Sequence, residues 1–202
     1  MSVDGFVFVD LETNGTKASK CEILEIGFAR YTAELELVER FAMLAVTTGT
    51  AALIDKMRTD PEFEFVAKMH TKNGLFADLE AALAAAGDDL PADLSGYETD
   101  VVEILTRWGV DDTTPLSGTS HMMDREFLEL WMPKVESMFS YRMVDARAFA
   151  EAGRVLDPAR TEERIKLLAE YGEPTHRVGE DMHYSANVLR VFHGRAPIPF
   201  VV

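Results

Sequence analysis

Four acids and one histidine in this sequence are spaced so that a single fold could bring them together. Asp10 and Glu12 close the apolar run Phe6-Val7-Phe8-Val9. Strand side chains alternate between faces, so two acids two residues apart at a strand's end point to the same side and can share a metal ion. Asp124 follows the short run Pro115-Leu116-Ser117-Gly118 and falls near the start of a helical stretch. Asp181 lies five residues beyond His176 at the head of the last helical stretch, where the turn before the acid can project the imidazole over the same site. Hydrolysing a phosphodiester requires an activated water and neutralisation of an anionic transition state. Two divalent cations about 3.5 to 4 Å apart supply both, and hard Mg²⁺ or Mn²⁺ prefers carboxylate oxygens. A neutral imidazole beside them can take the proton of the attacking water. Each residue alone has a plainer account: polar closure of a strand for Asp10 and Glu12, a favourable charge at a helix start for Asp124, a cap for His176.

The elements that must hold these groups follow from periodicity. Gly5 to Asp10 reads as a buried strand, with a turn at Thr13-Asn14-Gly15-Thr16. Ile23 to Tyr31 and Leu35 to Val46 continue an antiparallel meander. From about residue 50 the apolar spacing becomes helical: Ala51 to Met57, Pro61 to Met69, Leu75 to Ala86, then Val101, Ile104, Leu105 and Trp108 on one face. Pro115 to Thr119 and Tyr141 to Asp145 are short strands, and helices are expected over Ala146 to Ala152, Pro158 to Tyr171 and about His176 to Phe192. A meander followed by alternating helices and short strands makes an α/β fold with a mixed central sheet flanked by helices.

Bulk properties bound the function. The 202 residues suit one domain over 1–202, and no apolar run is long enough to span a bilayer. The first residues lack the basic flank and cleavage site of a secretory signal, so a cytoplasmic location is expected. The single Cys21 excludes an internal disulfide and a cysteine-rich zinc cluster. A net charge of −15 argues against coating long nucleic acid but allows a short nucleotide ligand held at a metal-neutralised carboxylate cluster.

Three motifs stand in order: Asp10-Leu11-Glu12-Thr13-x-Gly15, Gly118-Thr119-Ser120-x-x-x-Asp124 and His176-x-x-x-x-Asp181. Beside them are Met69-His70-Thr71-x-x-Gly74-Leu75, Asp124-Arg125-x-Phe127-Leu128, Trp131-Met132-Pro133 and Tyr141-Arg142-x-x-Asp145. Together they resemble the DEDD exonucleases of the histidine subtype, and within them the oligoribonuclease branch, from Phe6 to about Phe192, leaving 193–202 as a C-terminal tail. The resemblance implies a ribonuclease H-like fold and a 3′-to-5′ exoribonuclease releasing nucleoside 5′-monophosphates from short single-stranded RNA by a two-metal mechanism. It implies that Asp10, Glu12, Asp124 and Asp181 bind two divalent ions, Mg or Mn, and that His176 is the general base. Substrate contacts would come from Thr13, Phe65, His70, Ser120, Tyr141 and Arg142, with Tyr141 delivered across a homodimer interface and His70, Ser120 and Arg142 on a terminal phosphate.

The chain also departs from the family pattern. Thr16 stands where a leucine wedges between bases, Phe65 where a tryptophan stacks, and Arg147 where the family has a small hydroxyl residue. Extra residues around 55–65 and 84–97 fall on the expected substrate side. These departures leave open a broader exonuclease on single-stranded DNA or RNA, and a non-catalytic nucleotide-binding module is the rival of another class. His183 reads as a surface residue, and His121 and His193 carry no assignment.

Overall fold

The first strand, β1 (Phe6–Thr13), runs past Asp10 to Thr13, so both acids lie within it rather than at its end. The extension follows from pairing. β2 (Ile23–Tyr31) lies antiparallel to β1 from Phe6 opposite Tyr31 to Thr13 opposite Ile23, and gives backbone partners to the polar residues as well as the apolar ones. The structure, a computed structural model, describes residues 3–200. β3 (Leu37–Leu44) completes the meander, starting later than Leu35 because that residue is in a left-handed turn with φ of 61°. β4 (Pro115–Gly118) and β5 (Ser140–Asp145) add in parallel on the other side, giving the sheet order β3-β2-β1-β4-β5. β4 pairs with β1 only at Val7 and Phe8, which leaves the later part of β1 without a strand neighbour on that side.

Nine helices cover this sheet among the described residues: α1 (Thr50–Thr59), α2 (Glu64–Lys72), α3 (Leu75–Ala86), α4 (Ser95–Trp108), α5 (Met122–Trp131), α6 (Pro133–Glu136), α7 (Ala146–Leu156), α8 (Pro158–Ala169) and α9 (Val178–Phe192). The helix expected from Pro61 begins instead as a 3₁₀ turn, Pro61–Phe63, capped by the Asp60 carboxylate on the Glu62 N–H. α9 starts after His176, whose φ of 57° cannot continue into a right-handed helix.

Strand alternation sorts the core. Val7, Val9 and Leu11 of β1, with Ile26 and Phe28 of β2, pack against Val101, Leu105 and Trp108 of α4 and Phe127 and Leu128 of α5. The opposite face, with Phe8, Ala29 and Tyr31, packs on Val178, Met182 and Ala186 of α9. Leu24 joins Ile54, Met57, Ala67, Phe76 and Leu79 in a third cluster under α1, α2 and α3. Gly27 is the point of closest approach between β2 and α9, for a Cβ there would lie 2.6 Å from Val178 Cβ and 2.9 Å from Met182 Cε. Gly27→Ala is therefore expected to cost about 1–3 kcal/mol by overpacking. A urea unfolding midpoint unchanged from wild type would contradict that contact.

Candidate active site

Asp10 and Glu12 share the α9 face of β1 with Phe8, and across β2 they sit opposite Gly27 and Glu25. The missing side chain at Gly27 lets the first turn of α9, which carries Asp181, come down beside them. The third position is filled from the other side. Beyond Phe8 the β1 backbone has lost β4 as a neighbour, and the Leu11 N–H donates instead to Asp124 Oδ1 at 2.9 Å. Asp124 is thus a buried acid, 4% exposed, in the first turn of α5, and the strand itself fixes it in place. The turn from β4 into α5 is tight, since a Cβ on Gly118 would lie 2.7 Å from His121 Cβ and 3.0 Å from the Val9 carbonyl oxygen. Thr119 and Ser185 hydroxyls meet at 2.7 Å, and Ser185 Oγ donates to the Asp181 carbonyl at 2.9 Å, which ties this turn to α9.

The electrostatics of this arrangement are those of a cation site. Burial, followed by the charges of Asp124, Asp181, Glu12 and Glu25, holds the Asp10 carboxyl well above the usual carboxylate range. Burial also pushes Glu12 up to about 8, with Asp181, Glu25 and Asp124 adding to it and Arg177 opposing. Asp124 is raised to about 7 by burial against the relief of the Leu11 N–H. Asp181 is raised by burial and relieved by the Thr175 N–H, which donates to Oδ1 at 2.8 Å. Asp10 Oδ2 is buried with no hydrogen-bond partner. Four acids that repel one another, one with an orphaned oxygen, fit divalent cations as the missing counter-charge. Ligand atoms of Glu12, His176 and Asp181 lie within 4.8 Å of one another, so the imidazole stands among the acids rather than behind them.

His176 reaches this position from a loop and not from the helix. Its backbone is left-handed, and its carbonyl and that of Thr175 accept from the Asn73 side-chain amide at the end of α2. A cavity of about 590 Å³ lies elsewhere, between α1 and α2 against Met57, Arg58, Ala67 and Lys68, and none of the four acids lines it.

No protein-family model matches the chain. Among curated relatives, the oligoribonuclease of Mycobacterium leprae is 27% identical over 201 residues, which cover 97% of this chain and 83% of that one. The oligoribonuclease of Photorhabdus laumondii is 29% identical over 159 residues, 78% of this chain and 79% of its own. Over most of its length the chain is similar to these oligoribonucleases. Solved structures agree at the level of fold. E. coli exonuclease I in complex with a 5cy-dT13 oligonucleotide superposes with a TM-score of 0.57 at 14% identity, over 95% of this chain. Exonuclease I of Methylocaldum szegediense gives 0.57 at 16% identity, also over 95%. This chain spans only 41% of each of those two, and what it shares with them is the ribonuclease H-like α/β fold with a mixed sheet.

The remaining candidate residues are scattered around the acids to different degrees. His70 is 0% exposed, with Nε2 3.0 Å from the Thr13 carbonyl and Nδ1 4.0 Å from Glu12 Oε2. The carbonyl can only accept, so Nε2 carries the proton, and burial favours the neutral ring. The ring, expected to grip a phosphate, braces the end of β1 beside Glu12. Thr13 is likewise turned inward, its hydroxyl donating to the Gly15 carbonyl at 2.7 Å. Ser120 is exposed at the C-terminal end of β4, near Asp124, with its N–H on Asp145 Oδ1. Phe65 is 78% exposed on α2, a free aromatic face.

Tyr141 and Arg142 do not join the acids of their own chain. β5 runs parallel to β4 and β1, and through Leu116 its Met143 is level with Val7, three to five residues short of Asp10 and Glu12. At roughly 3.3 Å per residue, that is about 10 to 17 Å along the strand. Arg142 instead places Nη2 3.3 Å from the Thr113 carbonyl and Nε 3.3 Å from Ser140 Oγ, and Tyr141 is 87% exposed on the sheet edge. His183 is not a surface residue: it is buried, with Nε2 2.7 Å from the Ile198 carbonyl and Nδ1 facing the Tyr31 hydroxyl. Glu25, Asn73 and Arg177, which surround the His176 loop, carry no motif and become visible only through the pairing of β1 with β2. Among the described residues no helix is long and apolar enough to cross a membrane.

Proposed function

We propose that this exonuclease hydrolyses short single-stranded oligoribonucleotides from the 3′ end to nucleoside 5′-monophosphates. In this reading Asp10, Glu12, Asp124 and Asp181 hold two divalent ions, Mg or Mn, and His176 is the general base. The observation that carries it is the convergence of four mutually repelling acids from β1, α5 and α9, Glu12 and Asp124 buried and Asp10 and Asp181 half-buried, with a His176 ring nitrogen within 4.8 Å of carboxylate oxygens of Glu12 and Asp181. Divalent cations bound there supply charge neutralisation for the phosphate oxygens and a lowered pKa for the attacking water. His176 accepts that water's proton on a ring nitrogen, and the Thr175 N–H keeps Asp181 aimed at the same point. Phe65 offers its exposed face to a base of the substrate.

A single domain and a cytoplasmic setting complete the proposal, together with a homodimer in which Tyr141 serves the neighbouring site. In support, Tyr141 stands open on an edge strand and too far along the sheet to serve its own acids. A second reading, a broader exonuclease on single-stranded DNA or RNA, is favoured by the exposed turn at Thr16 and by the absence of Arg142 from the acid cluster of its own chain. Labelled dinucleotides, longer RNA and single-stranded DNA, each digested with Mg²⁺ or Mn²⁺, separate the two. The first reading expects dinucleotides to be turned over fastest, with mononucleotides as product. Equal rates on long single strands support the second, and short-RNA binding without metal-dependent hydrolysis would show a non-catalytic module.

A further inference from the structure

His176 needs anchors outside its own loop. Its left-handed backbone is one that an L side chain seldom adopts, and it precedes the extended Arg177 rather than sitting in a helix. Arg177 supplies the strongest of these anchors. Its Nε and Nη2 meet Glu25 Oε2 and Oε1 at 3.1 and 3.0 Å, a two-point fork on a buried carboxylate. Its Nη1 lies 2.8 Å from Asp78 Oδ2 on α3. Glu25 is the cross-strand partner of Glu12, on the same face of the sheet. One guanidinium therefore joins the residue after His176 to the residue beside Glu12, while Asn73 holds the His176 carbonyl from the other side.

We propose that Glu25 and Arg177 are positioning residues for His176, setting where the imidazole stands relative to Glu12 and Asp181. The planar fork is suited to this, because two parallel hydrogen bonds fix orientation as well as distance, which a lysine cannot do. Neither residue reaches the reacting atoms, and both act through the histidine. The inference rests on the reading of His176 as general base, and the tests keep the two apart.

Arg177→Gln is expected to lower kcat on a short RNA by about 100-fold, the loss typical of a catalytic group displaced by about 1 Å. KM is expected to stay within about threefold, and calorimetric Mn²⁺ affinity is measured beside it because the Arg177 charge also acts on Glu12. In a His176→Ala background the same Arg177→Gln change is expected to cost nothing further, because there is no imidazole left to position. An equal fold-loss in both backgrounds would overturn the proposal and leave Arg177 a general structural support. Arg177→Lys, which keeps the charge but not the fork, is expected to fall between wild type and Arg177→Gln, and full activity in it would also count against the fork. Imidazole signals in ¹H–¹⁵N spectra provide a readout free of turnover, with His176→Ala assigning the resonance. The His176 signal is expected to shift or broaden in Arg177→Gln and Glu25→Gln while those of His121 and His183, which neither side chain influences, stay in place. An unchanged His176 signal would refute the positioning role even if the enzyme's reaction proved to be a different one.

Discussion

Asp181→Ala lowers kcat on a short RNA by about 10³-fold or more, the several kcal/mol that a metal site contributes to a charged transition state. Two losses add. The variant removes a ligand atom from the group formed with Glu12 and His176, and it removes the acceptor of the Thr175 N–H, freeing the loop that carries the histidine. Asp181→Asn separates the effects, since its amide oxygen still accepts from Thr175 but the charge is gone. Asn is therefore expected to keep the His176 loop ordered and yet to be nearly as inactive as Ala. Single-turnover cleavage of labelled short RNA, with Mn²⁺ titrated from micromolar to millimolar, reads both. Wild-type rates in Asp181→Ala would remove Asp181 from the active site.

The second large effect is on stability. Glu12 is raised to about 8 from 4.5 and Asp124 to about 7 from 3.8, in each case chiefly by burial. Between those limits the folded protein binds more protons than the unfolded chain, so unfolding free energy falls as pH rises through roughly 4.5 to 8. Metal-free protein is thus most stable on the acid side and loses on the order of a few kcal/mol by pH 8. Cations compete for the same oxygens, so Mn²⁺ or Mg²⁺ raises Tm far more at pH 8 than at pH 5. Melts in EDTA and in excess Mn²⁺ across that range test the sign, and a Tm in EDTA that rises from pH 5 to pH 8 would contradict it.

What was legible in the sequence was what depends on local pattern. Alternation in Phe6 to Val9 placed Asp10 and Glu12 on one face, and helical spacing found α3 to the residue. The late start of α9 was not legible, because it depends on contacts of the 175–177 loop with Asn73, Glu25 and Asp78, residues about 100 to 150 positions away. The bracing role of His70 was hidden for the same reason, since only the position of α2 against the end of β1 shows that the ring is sealed. His183 looked like a surface residue on a helix because the returning tail, which covers it through Ile198, leaves no periodic mark. Tyr141 and Arg142 were assigned by resemblance alone, and strand register sets them at the far end of the sheet.

The contact at Gly27 also has a meaning in time. Asp10 and Asp181 are about 170 residues apart, and their site closes only when α9 settles onto β2. At about 5–20 residues per second, a growing chain exposes β1 roughly 10 to 30 s before α9 is made. During that interval the strand acids have neither Asp181 nor His176 beside them. The site is therefore completed only once α9 docks, however early β1 is made.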